Sequence, residues 1–143
     1  MVDTTSLSTH IEALRQALDD LTRYQGRFDR RAFLGDRDAQ RMVMNAMYQA
    51  VQACIDVGAH IVADKSLGRP ENYREIFTIL ATREGLDPKV CGELERWVGL
   101  RNILAHMYWK IDLSIIFDAL GRISSLESFG SFAAGYLAGQ PRR

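Results

Sequence analysis

Leu7, Ile11, Leu14, Leu18 and Leu21 follow one another at steps of four, three, four and three. That rhythm keeps one face of a 3.6-residue turn apolar and predicts an amphipathic helix from about Ser8 to Tyr24. Ser6 or Ser8 offers a side-chain oxygen to its free amides. A longer pattern runs from about Asp38 to Asp64, where Met44, Met47, Val51, Ile55, Gly58 and Ile61 recur near every third or fourth position. Ala46, Ala50, Ala53 and Val57 widen this stripe. A helix apolar over so much of its girth is expected to be central, packed on two sides or against a second copy. The run Ser66-Leu67-Gly68-Arg69-Pro70 ends it.

Asn72 caps a shorter third helix with Tyr73, Ile76, Phe77 and Leu80 inside, closed by Gly85. Asp87-Pro88 combines a capping carboxylate with a proline at the first helical position, so a fourth helix starts there. It carries Val90, Leu94, Trp97 and Val98 and runs into a polar stretch ending near Tyr108. Asp112 caps a fifth helix lined by Ile116, Leu120, Ile123 and Leu126, with Ile111 and Ile116 placed as a hydrophobic staple. No segment alternates as a half-buried strand does. The expectation is an all-α, compact up-and-down bundle of about five helices with short loops.

Between the first two helices lies an arginine-rich connection with Arg23, Arg27, Arg30, Arg31, Arg37 and Arg41 set against Asp29, Asp36 and Asp38. Gly26 and Gly35 punctuate it. It reads as a solvated loop and helix start, with a patch for an RNA backbone as the sharper alternative. Over the whole chain the basic residues are 15 Arg and 3 Lys, matched by 18 acidic residues, so the formal charge is zero. No global field draws the protein to nucleic acid or to a membrane, and such a partner has to be met by a local patch.

The 143 residues suit one domain spanning 1–143, with a core from about 7 to 138. Apolar residues make up 47% and charged residues 25%, which excludes a disordered, collagen-like or disulfide-built chain. Cys54 and Cys91 are far apart and form no CxxC unit, so buried, reduced thiols in a cytoplasmic protein are expected. No stretch is long and apolar enough to span a bilayer, and MVDTTSLSTH lacks the basic start and apolar run of a secretory signal.

Candidate chemistry concentrates at the end of the fourth helix, where Arg101, Asn102, His106 and Tyr108 interrupt an apolar pattern. One reading is structural: Arg101 pairs with a carboxylate, and His106 sits at a helix C-terminus that favours a cation. On a straight helix residues five apart are separated by about 140° around and about 7.5 Å along. Arg101 and His106 therefore face one point only if the helix ends and the histidine swings round, or if two chains share a site. Asn102 and His106 share a face, as do Arg101 and Tyr108. Asp56 and His60, one turn apart on the long helix, are candidates to orient Arg101 or His106; a buried polar pair is the alternative. Trp97 and Trp109 read as packing residues.

The motif Arg101-Asn102-Ile103-Leu104-Ala105-His106-Met107-Tyr108, of the form R-N-x-x-x-H-x-Y, resembles the signature of the HEPN superfamily, and more narrowly that of HepT-like ribonuclease toxins. The segment Ala53–Ile61 and the exit Tyr108–Asp112 are similar to that family too, so the resemblance covers about Leu7 to Leu126. It implies a type VII-like toxin–antitoxin pair and metal-independent RNA cleavage by attack of the 2′-OH on the neighbouring phosphorus. His106 is then the proton-exchanging group, Arg101 the grip on non-bridging oxygens, and Asn102 an orienting residue. Tyr108 becomes the acceptor of AMP groups from a cognate MntA-like nucleotidyltransferase antitoxin. No cofactor is implied, and no carboxylate–histidine cluster shows metal-ligand spacing. The expected partners are an RNA substrate, the antitoxin and a second copy of the chain in a homodimer. The rival expectation is a non-catalytic helical module that partners a nucleotidyltransferase.

Overall fold

The computed structural model describes residues 4–106 and 110–140. Among them are seven helices and no strand: α1 (Thr4–Arg27), α2 (Arg30–Leu34), α3 (Arg37–Asp64), α4 (Tyr73–Arg83), α5 (Pro88–His106), α6 (Leu113–Leu120) and α7 (Ser124–Ala138). The all-α bundle is as expected, but the count is higher than about five. The arginine-rich connection holds a helical turn of its own, α2. Asp29 caps it by accepting from the Ala32 amide at 2.8 Å. Phe33, fully buried, anchors it against the ring of Phe117, 5.7 Å away between centroids. Phe28 and Phe33 stand five apart in this charged run and set up no helical period, so the spacing predicts a solvated loop and helix start and not a separate turn. The stripe Ile116, Leu120, Ile123 and Leu126 is buried throughout, yet its backbone turns at Gly121, dividing one expected helix into α6 and α7.

The expected caps at Asn72 and Asp112 are in place. Asn72 Oδ1 accepts from the Glu75 amide at 3.0 Å, and Asp112 Oδ1 from the Ser114 amide at 2.9 Å. Asp87 Oδ1 accepts from the Lys89 amide at 2.8 Å as α5 begins. The first helix starts earlier than expected, so Ser6 and Ser8 lie inside it rather than capping it.

α3 is the axis of the bundle and touches every other helix. Its wide apolar girth is covered within one chain, so it needs no second copy to bury it. The closest approach is at Gly58, where a Cβ would stand 2.6 Å from Ile76 Cγ2 on α4. The glycine therefore sets how near α4 lies to α3, and through α4 the width of the groove between α4 and α5. Trp97 of α5 donates its indole N–H to Ser125 Oγ on α7 at 3.2 Å, satisfying both buried polar groups. Cys54 and Cys91 are free and buried, and burial pushes both thiols up from their ordinary range. Trp109 lies outside the described residues.

Gly58→Ala would normally favour a helix, but here the added methyl meets a β-branched side chain that cannot retreat. Overpacking of this kind costs about 1–3 kcal/mol. Urea unfolding should show a lower midpoint with an unchanged slope; an equal or higher midpoint would mean that α4 has room to move.

Candidate active site on α4 and α5

An open cleft of about 680 Å³ lies between the start of α4 and the last turns of α5. Glu71, Asn72, Tyr73 and Arg74 form one wall, and Val98, Arg101, Asn102 and His106 the other. The first wall exists because the chain leaves α3 through Ser66 and Gly68, both with positive φ, and re-enters a helix at the Asn72 cap. The second is the polar last turns of α5, described as far as His106. Arg101 and His106 thus line the same cleft in one chain. His106 is still helical, so the histidine does not swing out of a helix that ends before it, yet both residues line one cavity of a single chain.

Arg101 is held on several sides. One terminal nitrogen donates to Gln52 Oε1 at 2.8 Å and to the Tyr48 hydroxyl at 3.2 Å, both on α3. The other donates to Asn102 Oδ1 at 3.2 Å. The guanidinium carbon lies 5.0 Å from the centre of the Tyr48 ring and 5.3 Å from that of Tyr73. Such ring contacts favour a cation, and a desolvated one most. All the hydrogen-bond acceptors are neutral, and no carboxylate pairs with Arg101 among the described residues. Among the described residues, Arg101 is therefore not one half of an ion pair. Its Nε is buried with no hydrogen-bond partner among the described residues. A positioned charge with no counter-charge is suited to grip an anion from outside.

Gln52 does not end the chain of contacts. Its Nε2 donates to Asp56 Oδ1 at 3.0 Å, so Asp56 is linked to Arg101 through one amide. The amide's orientation is forced: a carboxylate only accepts and a guanidinium only donates. His60 packs its ring edge-on against His10 of α1, 6.4 Å between centroids. Asn102 and His106 are both exposed. Tyr108 lies outside the described residues.

Tyr48, Gln52 and Arg74 were not singled out from the sequence, and Tyr73 was read as an inside residue of its helix. Tyr73 is 43% exposed and faces the cleft. A signal for the first two was present: Tyr48, Gln52, Asp56 and His60 recur every four residues, a polar column on an otherwise apolar helix. In the arginine-rich connection, Arg30 pairs with Asp118 and lies 5.0 Å from the centre of the Phe117 ring. Arg23 pairs with Asp20, so part of that charge is spent locally.

The ribonuclease HepT-like family model matches residues 14–131. The chain belongs to this family. An mRNA nuclease HepT of Shewanella oneidensis is 33% identical over 100 residues, covering 70% of this chain and 74% of that protein. A tRNA nuclease HepT of Aphanizomenon flos-aquae is 26% identical over 114 residues, covering 80% and 77%. The fold matches a solved Shewanella oneidensis HEPN toxin, tri-AMPylated and in complex with MNT antitoxin, with a TM-score of 0.79 and 28% identity over 96% of this chain and 99% of that one. The resemblance read from the Arg101–Tyr108 motif is borne out. In this HepT-like chain the motif's arginine is anchored from α3, the helix that organises the core.

Replacing Gln52 by Leu keeps the bulk and removes the amide that joins Arg101 to Asp56. Hydrogen bonds to charged groups contribute about 1.5–3 kcal/mol each, less where water can substitute. Gln52→Leu should lower unfolding stability by about 1–2 kcal/mol; stability equal to wild type would show that the amide does not hold the guanidinium.

Proposed function

We propose that this HepT-like chain is a metal-independent endoribonuclease toxin, neutralised when a nucleotidyltransferase antitoxin transfers AMP to Tyr108. The observation that carries the reading is the shared cleft of Arg101 and His106, with Arg101 fixed from α3 and unpaired with any carboxylate among the described residues. RNA brings its own nucleophile, the 2′-OH. His106 takes the hydroxyl proton while O2′ bonds to phosphorus. Arg101 holds the non-bridging oxygens as their charge grows. The P–O5′ bond breaks, and the leaving oxygen takes a proton from the imidazolium or from solvent. The products are a 2′,3′-cyclic phosphate and a 5′-hydroxyl. Asn102 orients the guanidinium, to which its side chain is bonded. Asp56 acts on Arg101 through Gln52, while His60 has no such link among the described residues.

Tyr108 stands two residues beyond His106 in the sequence. An AMP group there adds bulk and a negative phosphate beside a cleft organised around a guanidinium, where it competes with RNA. The AMPylated Shewanella toxin with its MNT antitoxin supports this regulation. The contiguous core from Leu7 to Ala133 supports treating the chain as one HEPN-like domain. We place it in the cytoplasm, with its RNA and its antitoxin; among the described residues no helix is long and apolar enough to cross a membrane. A homodimer is part of the proposal. Its support is no longer the girth of α3 but a face of α5 and α6 where Ile103 and Ile115 stand 46% and 52% exposed. Ile103 follows Asn102 directly, so a twofold contact there sets two clefts near one another.

His106→Ala and Arg101→Ala should each slow cleavage of single-stranded RNA in the presence of chelator by about 100-fold or more, with end-group analysis giving cyclic phosphate from wild type. Wild-type protein that leaves RNA intact overturns the nuclease. With a cognate nucleotidyltransferase and ATP, peptide mass mapping should place AMP on Tyr108, and Tyr108→Phe should stay toxic; modification elsewhere, with Tyr108 untouched, removes that part. Light scattering should report twice the chain mass, and a species of 16.2 kDa at micromolar concentration would rule out the dimer.

A further inference from the structure

The wall of the cleft opposite the catalytic helix carries two side chains that the cleavage chemistry does not use. Tyr73 keeps 43% of its surface exposed, while its ring lies 5.3 Å from the Arg101 guanidinium. An aromatic ring left open to water beside a fixed cation is not part of the core. It is a flat apolar surface next to the point where a phosphate would be gripped. Arg74, the next residue, is also exposed and lines the same cleft.

Arg74 is seated over the neighbouring helix by a glycine. A Cβ on Gly99 would stand 2.9 Å from the Arg74 terminal nitrogen, so any side chain there would displace the guanidinium. Its Nε donates to the Glu95 carbonyl at 3.4 Å. The Glu95 carboxylate accepts through Oε1 from Thr78 Oγ1 at 3.0 Å and from the Cys91 thiol at 3.5 Å. Among the described residues Arg74 forms no ion pair, and the carboxylate that shares its wall is Glu71. Two guanidiniums without carboxylate partners therefore line one cleft, with an exposed ring against one and adjacent in sequence to the other.

We propose that Tyr73 and Arg74 form a subsite for the nucleotide next to the scissile linkage: Tyr73 stacks on its base and Arg74 binds its phosphate. This rests on the ribonuclease reading above and adds to it a means of holding single-stranded substrate. Stacking accepts any base, because every base has a flat face, so the subsite supplies affinity and register more than sequence choice.

The test measures binding of the full-length protein to short single-stranded 2′-O-methyl oligoribonucleotides, whose blocked nucleophile prevents cleavage, across a range of salt. Tyr73→Ala should weaken binding roughly ten-fold or more, and Tyr73→Phe should not. The slope of log affinity against log salt should stay unchanged in both. Arg74→Gln should flatten that slope by about 0.7, the increment for one phosphate contact on a single strand. Gly99→Ala, which keeps Arg74 but moves it, should flatten it similarly. Circular dichroism confirms that the variants are folded. Wild-type binding with unchanged affinity in Tyr73→Ala, or an unchanged slope in Arg74→Gln, overturns the subsite and leaves the nuclease standing. Failure of wild type both to bind these oligonucleotides and to cleave unmodified RNA removes the nuclease and the subsite together. A parallel titration with AMP separates a mononucleotide site from an RNA site: if the variants weaken AMP binding alone, the RNA subsite is refuted.

Discussion

The arrangement turns on how one guanidinium is held. Arg101 projects from the end of α5, yet it is fixed by Tyr48 and Gln52 of α3, the helix around which the others pack. Its position is thereby set by the core and not by a surface loop. The acceptors that hold it are an amide, a phenol and a second amide, and none of them cancels its charge. A carboxylate in the place of Gln52 would hold the side chain as well and would leave less charge for a phosphate. Neutral anchoring of a cation is the physical condition for binding an anion there.

The same condition explains the polar column on α3. Asp56 sits one turn beyond Gln52 and fixes the amide's orientation without touching the guanidinium. Its negative charge is set back by the length of a glutamine side chain, and Tyr48 and Tyr73 add ring faces around the cation. The close approach of α4 at Gly58 brings Tyr73 to the cleft. The packing of α3 against α4 thus contributes to the site as well as to stability.

Much of this was legible in the residues. The stripes on α1 and α3, the caps at Asn72 and Asp112 and the break at Pro70 follow from periodicity and local hydrogen bonding. The motif at Arg101, Asn102, His106 and Tyr108 pointed to the family. What escaped was of two kinds. Short elements such as α2 depend on one buried aromatic, Phe33, whose partner Phe117 is distant in sequence. The α6–α7 turn lies inside a stripe that stays apolar on both sides of the bend. The anchors of Arg101 were missed because Tyr48 and Gln52 sit on a helix whose apolar girth dominated its reading, although their four-residue spacing to Asp56 was visible. Tyr73 fell in helical register with Ile76 and Phe77, and only the open groove beside it shows that its ring is exposed.

Helical spacing alone allowed Arg101 and His106 to belong to different subunits, whereas the structure gives both to one cleft of one chain. Mixing full-length Arg101→Ala and His106→Ala proteins, after unfolding and refolding together, separates the two arrangements. If each cleft takes both residues from its own chain, the mixture cleaves RNA no better than either variant alone. Recovery of cleavage in the mixture, in proportion to the hybrid dimers formed, would show that arginine and histidine come from opposite subunits and would contradict the account.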